Sequence, residues 1–106
     1  MLVDVRPLAE REVSMIPGAV LAETVEANLG SYTGRPIVAY CTIGARSGLW
    51  ARKFSRRGLD VSNLRGGILA WTHIGGALVD ADGLTTRVHV YGASWDLAAD
   101  GYEAVW

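Results

Sequence analysis

The sequence predicts an α/β layer fold: a parallel sheet flanked by helices. Two observations carry this. Short apolar segments alternate with stretches of helical periodicity, and Ile37-Val38-Ala39-Tyr40 lacks the polar alternation of a half-exposed strand, as befits a strand buried on both faces of a parallel sheet. The chain has 106 residues, so one domain is expected, and half of its residues are hydrophobic, enough for a packed core and against disorder.

Met1–Val5 is an apolar run interrupted by Asp4, and reads as a buried strand carrying Asp4 and Arg6 at its C-terminal end. Pro7 suits the first position of a helix, expected over Leu8–Val13. Ile16-Pro17-Gly18-Ala19 is a turn signal leading to an extended Val20-Leu21. A helix is expected from Glu23 to Leu29, stopped by Gly30, and a loop over Thr33–Pro36. After the strand Ile37–Tyr40 come Cys41 and the loop Thr42-Ile43-Gly44-Ala45. A helix over Arg46–Arg57 follows and ends at Gly58, a natural left-handed cap. Val61–Leu64 reads as a strand, Arg65-Gly66-Gly67 as a turn and Ile68–Ile74 as a short helix closed by Gly75-Gly76. Asp80–Gly83 is a turn. Thr86–Tyr91 alternates and is rich in β-branched residues, as a strand should be. Ser94 is placed to cap a short helix from Trp95.

Cys41 is the only cysteine. It sits between a strand and a helix, where unpaired N–H groups and the positive end of the helix dipole favour a thiolate. The plain alternative is a small buried hydrophobe. The short, polar or glycine loop, the helix that follows at once and Arg46 favour the reactive reading. Asp4 and Arg6 lie at a strand end, like Cys41, where ligands gather in open α/β sheets. They have two readings, a salt bridge that staples a loop or a direct chemical role. His73 and His89 lack metal-ligand spacing and read as ordinary histidines. No cofactor or metal is expected. The formal net charge of −1 argues against a nucleic-acid partner, and no apolar run is long enough for a membrane span. No apolar leader develops before Glu10, and a single cysteine fits a reducing, cytoplasmic setting.

Leu2-Val3-Asp4-Val5-Arg6, Glu10, Ile16-Pro17-Gly18-Ala19, Tyr40-Cys41 to Arg46-Ser47 and Asn63-Leu64-Arg65-Gly66-Gly67-Ile68-Leu69-Ala70-Trp71 together resemble the rhodanese-like sulfurtransferase domain. The resemblance covers Leu2 to Trp71. It implies that Cys41 is the nucleophile and carries a persulfide, that the loop Thr42, Ile43, Gly44, Ala45 and Arg46 surrounds the sulfur, and that Asp4 and Arg6 are the Asp-x-Arg motif beneath it. Ser14-Met15 stands where the family usually has Gly-His.

The implied chemistry moves sulfur from a small anionic donor such as thiosulfate to an external thiol or cyanide acceptor. Arg46 is the candidate to grip the donor's sulfonate with two parallel bonds; the alternative for Arg46 is bracing the loop. A cysteine phosphatase or arsenate reductase is a rival class, but its loop is one residue longer than Cys41–Arg46 and the tyrosine phosphatases have histidine where Tyr40 stands. A non-catalytic binding module is the other rival, and such relatives typically lack the cysteine.

The expected organisation is a rhodanese-like domain over 1–76, lacking the family's first strand and helix, with an extension over 77–106 packed on it. The extension is expected to supply the missing edge: Val88 and Val90 pair beside Val61–Leu64, with Trp95, Leu97 and Trp106 packed over them. The alternatives are a tail that caps a sheet face, or one that is an independent extension.

Overall fold

Ile37–Tyr40 forms β3, the inner strand on which the rest is assembled. The computed structural model describes residues 1–106. In chain order, β1 (Leu2–Asp4), α1 (Leu8–Val13), β2 (Val20–Leu21), α2 (Ala22–Ala27) and α3 (Leu29–Tyr32) precede β3. Next come α4 (Ala45–Ser55), β4 (Val61–Asn63) and α5 (Gly67–His73). The remainder is β5 (Leu78–Asp80), β6 (Gly83–Thr85), β7 (Arg87–His89), a 3-10 turn at Ala93–Trp95, and β8 (Glu103–Val105).

The main sheet has the order β2-β1-β3-β4, with every pair parallel. Its register sets Asp4 beside Tyr40 and Ala39 beside Asn63, so Asp4, Cys41 and Asn63 arrive at the same end. The lack of alternation in β3 has its expected cause. One face packs Val3, Ile37, Val25, Phe54 and Leu59; the other packs Tyr40 with Ile16, Ile68, Leu78 and Val88. Each such side chain, fully buried, contributes about 1.5–3 kcal/mol.

Helix α4 starts one residue earlier than expected and closes on Gly58 at φ +96°. Leu59 N–H donates to Phe54 O (3.1 Å) and Gly58 N–H to Ser55 O (3.2 Å), the paired bonds of a left-handed cap. The helix expected over Glu23–Leu29 is two pieces, because Asn28 (φ −141°) leaves the helical region and breaks it.

The extension departs from expectation. β7 pairs in parallel with β8, not with β4. Two features of the chain explain this. Ser62 and Asn63 leave β4 a polar, exposed edge that needs no apolar cover. The tail also brings its own partner strand, and Val90 N–H donates to Val105 O (2.7 Å). Trp95, Leu97 and Trp106 stay largely exposed rather than covering an edge. Trp95 belongs to a single 3-10 turn with no Ser94 cap, not to a helix. Asp80–Gly83 does turn the chain, between β5 and β6, which pair as an antiparallel hairpin. Met15 and Val79 bridge that hairpin to the segment after α1. No helix is long and apolar enough to cross a membrane.

Candidate active site

Cys41 follows directly on β3 and is fully buried. Gly44, at φ +109°, turns the loop so that α4 begins against the sulfur. Gly44 N–H points at Cys41 Sγ from 3.1 Å and Ser47 N–H from 3.5 Å, and Ser47 Oγ lies at 3.3 Å. Burial pushes the thiol up, but the Ser47 hydroxyl and the amides of Ser47, Gly44 and Ile43 outweigh it and hold Cys41 below its ordinary value.

A second element pins the loop from below. Ile68 N–H donates to Cys41 O (2.9 Å) and Leu69 N–H to Thr42 O (3.2 Å). Gly67, at φ +59°, permits this approach: a Cβ there would stand 2.5 Å from Thr42 O and closer still to Cys41 O.

The remaining polar groups of the loop are tied to α1. Arg46 donates from both terminal nitrogens to Glu10, at 2.7 and 2.8 Å, and also to Thr42 Oγ1 at 3.0 Å. Thr42 in turn donates to Glu10 (2.9 Å). Burial raises the Glu10 carboxyl, yet Arg46, Thr42 and Arg6 together bring it below the usual carboxylate range. The same pairing strengthens the hold of Arg46 on its proton. The parallel pair of donors that the sequence suggests for a sulfonate is thus occupied by Glu10. The Tyr91 ring lies 5.1 Å from the Arg46 guanidinium, and Trp95 meets Tyr91 edge-on at 5.7 Å.

Asp4 and Arg6 form a fully buried pair in which Arg6 Nη2 donates to Asp4 (2.8 Å) and to Ser14 O (2.7 Å). Tyr40 OH donates to Asp4 (2.8 Å) and accepts from Ile16 N–H (3.2 Å). Asp4 and Arg6 make these bonds away from the sulfur, and tie the end of β1 to the turn after α1 and to β3. Of the other loop residues, Ile43 is half-buried and Ala45 is exposed. Two clefts, of about 610 and 650 Å³, lie elsewhere and include no residue of the Cys41 loop. His73 Nε2 lies 2.6 Å from Leu97 O, and no three metal-ligating side chains cluster anywhere.

Sequence reasoning gave no site role to four residues that the fold brings to the site: Glu10, Ser47 and Asn63, noted only as part of the family pattern, and Tyr91. Ser47 had a usable signal, its place in the first turn of the helix after the cysteine. Glu10, Asn63 and Tyr91 come from α1, β4 and the extension, and only the tertiary fold brings them there.

A family model for the rhodanese-like domain matches residues 1–74. A tRNA sulfurtransferase of Desulfurococcus amylolyticus is 35% identical over 68 residues. That match covers 64% of this chain but only 14% of the relative's length. The crystal structure of a rhodanese-like domain protein from Staphylococcus aureus shares 31% identity, covering 79% of this chain and 78% of its own, with a TM-score of 0.61. A Bacillus halodurans crystal structure, 24% identical, superposes with a TM-score of 0.64 over 95% of this chain and 72% of its own, and so has the same fold. The strand–cysteine–loop–helix unit, the parallel sheet that carries it and a family match spanning most of the chain lead to one conclusion: this chain belongs to the rhodanese-like domain family.

Proposed function

We propose that this domain is a sulfurtransferase that carries sulfane sulfur on Cys41. The observation that carries the reading is the convergence of loop amides and the Ser47 hydroxyl on Cys41 Sγ, which favours a thiolate at the end of a strand. The family membership and the sulfurtransferase relative support the same class of chemistry.

The thiolate attacks the outer sulfur of an anionic donor such as thiosulfate. A Cys41 S–S bond forms as the donor's S–S bond breaks, and sulfite leaves with the bonding electron pair. The charged outer sulfur of the persulfide then rests among N–H donors. An external thiolate or cyanide attacks that sulfur, takes it away and restores the Cys41 thiolate, so the cycle is covalent catalysis in two steps. No second cysteine exists to resolve the persulfide internally. Cys41 has no exposed surface, so the donor enters through a local opening of the loop.

In this reading Thr42, Ile43, Gly44 and Ala45 shape the sulfur cradle, and Arg46, held by Glu10, braces it. Asp4 and Arg6 support it from beneath. The partners are small molecules or external thiols, and the single free thiol suits a reducing, cytoplasmic compartment.

Intact mass measurement after incubation with thiosulfate tests the proposal. The expected result is a gain of one sulfur atom that a thiol or cyanide removes and that Cys41→Ser does not acquire. A Cys41→Ser protein that still transfers sulfur, or a folded wild type that never acquires sulfur from thiosulfate, overturns it.

A further inference from the structure

The Ser47 hydroxyl has one proton and three neighbours that can take it. Asn63 Oδ1 lies 2.6 Å from Ser47 Oγ, Gly44 O at 3.3 Å and Cys41 Sγ at 3.3 Å. The orientation of the Asn63 amide is fixed, because its Nδ2 donates to Gly44 O at 2.9 Å. Asn63 Oδ1 is therefore the group that faces Ser47, and it can only accept. At 2.6 Å it takes the hydroxyl proton. Ser47 Oγ is then left with lone pairs toward the sulfur.

We propose that Asn63 is a positioning residue for Cys41: it holds the Ser47 proton away from the sulfur, so that the resting site is a donor chain from thiol to hydroxyl to amide. Deepening the sulfur-transfer reading of this site, the proposal gives each step of the cycle a hydrogen-bond arrangement. In the resting thiol, S–H donates to Ser47 Oγ and Ser47 O–H donates to Asn63. When the thiol proton leaves to solvent, the Ser47 hydroxyl must rotate its proton from Asn63 to the thiolate, giving up its shortest bond. When the sulfur becomes a persulfide, the charge moves to the outer atom, Sγ becomes a weak acceptor, and the hydroxyl returns to Asn63. Asn63 thus disfavours the free thiolate relative to both the thiol and the loaded form. The register that puts Asn63 beside Ala39 brings the amide to the loop, and the lack of a side chain at Gly48 leaves room for it: a Cβ at Gly48 would stand 3.3 Å from Asn63 Nδ2.

The test is the titration of Cys41 itself, read by thiolate ultraviolet absorbance and by the pH dependence of alkylation, neither of which requires sulfur transfer. Asn63→Ala should lower the thiol midpoint by about half to one pH unit, the scale of one competing hydrogen bond. Ser47→Ala should raise it. In the Ser47→Ala background, Asn63→Ala should have no effect, since the rotor is gone. Asn63→Leu, which fills the space without an acceptor, should lower the midpoint as Asn63→Ala does, and it reads the step even where Ser47→Ala does not fold. A midpoint that stays or rises in either Asn63 variant overturns the proposal. So does an equal fall with and without Ser47, which would assign the effect to the Gly44 carbonyl. Failure of persulfide formation in the mass experiment would leave this titration unchanged, so the two ideas stand or fall separately.

Discussion

Gly67→Ala is the substitution for which the geometry gives the sharpest number. Gly67 has φ +59°, a conformation that costs an L residue about 1–2 kcal/mol. The added methyl would also stand 2.5 Å from Thr42 O and 2.6 Å from Thr42 C, and nearer still to Cys41 O. These are backbone atoms, so they cannot rotate away. Relief requires α5 to separate from the loop, which weakens the Ile68–Cys41 and Leu69–Thr42 bonds, each worth about 0.5–1.5 kcal/mol. The sum is about 2–5 kcal/mol, a large share of the ~5–15 kcal/mol that a domain of this kind has. Gly75→Ala is the control: its φ of +72° is similar and nothing lies within 4 Å of its Cβ. It should lose only the conformational part. Urea denaturation at unchanged m measures both, and the gap between the two variants should be about 1–3 kcal/mol, or roughly 5–20 °C in Tm. Equal losses would refute the claim that close packing of α5 on the Cys41 loop is what demands glycine at position 67.

Two further predictions concern α1 and the extension. The Glu10 carboxyl is held below its ordinary value of 4.5 in the folded state, so its contribution is complete above that value and is lost as pH falls through the lower folded one. Glu10→Gln should therefore cost about 1–3 kcal/mol at neutral pH, where Arg46 is only partly screened, and should flatten the fall of Tm with acid; an unchanged acid slope would contradict this. We also propose that residues 77–106 unfold together with the rest, because Val88 is fully buried against Ile16, Tyr40 and Ile68. Val88→Ala should shift one cooperative transition downward by about 1.5–3 kcal/mol, and a second, separate transition would show an independent extension.

The central unit could be read directly from sequence because its signals are local. Ile37–Tyr40 is apolar without alternation, Gly44 and Gly58 bracket a helical pattern, and the register of a parallel sheet brings Asp4 and Cys41 to one end. The extension was not readable in the same way. Arg87–His89 announces a strand, but which strand it pairs with is a non-local choice between short segments, decided by the burial of Val88 and Val90 and by a polar edge on β4. The partner of Arg46 was hidden for a similar reason, although bracing of the loop was one of the two readings for Arg46. Its proximity to Cys41 is sequential, whereas the acid that occupies its two terminal nitrogens lies thirty-six positions earlier, on a helix too short to give a clear face.

The Glu10–Arg46 pair has a kinetic consequence. With its guanidinium neutralised by Glu10 at contact distance, Arg46 itself adds little long-range pull toward an anion at the loop. Under the proposed sulfur transfer, an anionic donor nearing Cys41 is held by backbone dipoles, whose reach is a few ångströms, rather than drawn in by Arg46 from a Debye length away. In that reading Arg46 contributes little to the ionic-strength dependence of the encounter, and discrimination among donors rests on what fits the cradle after arrival.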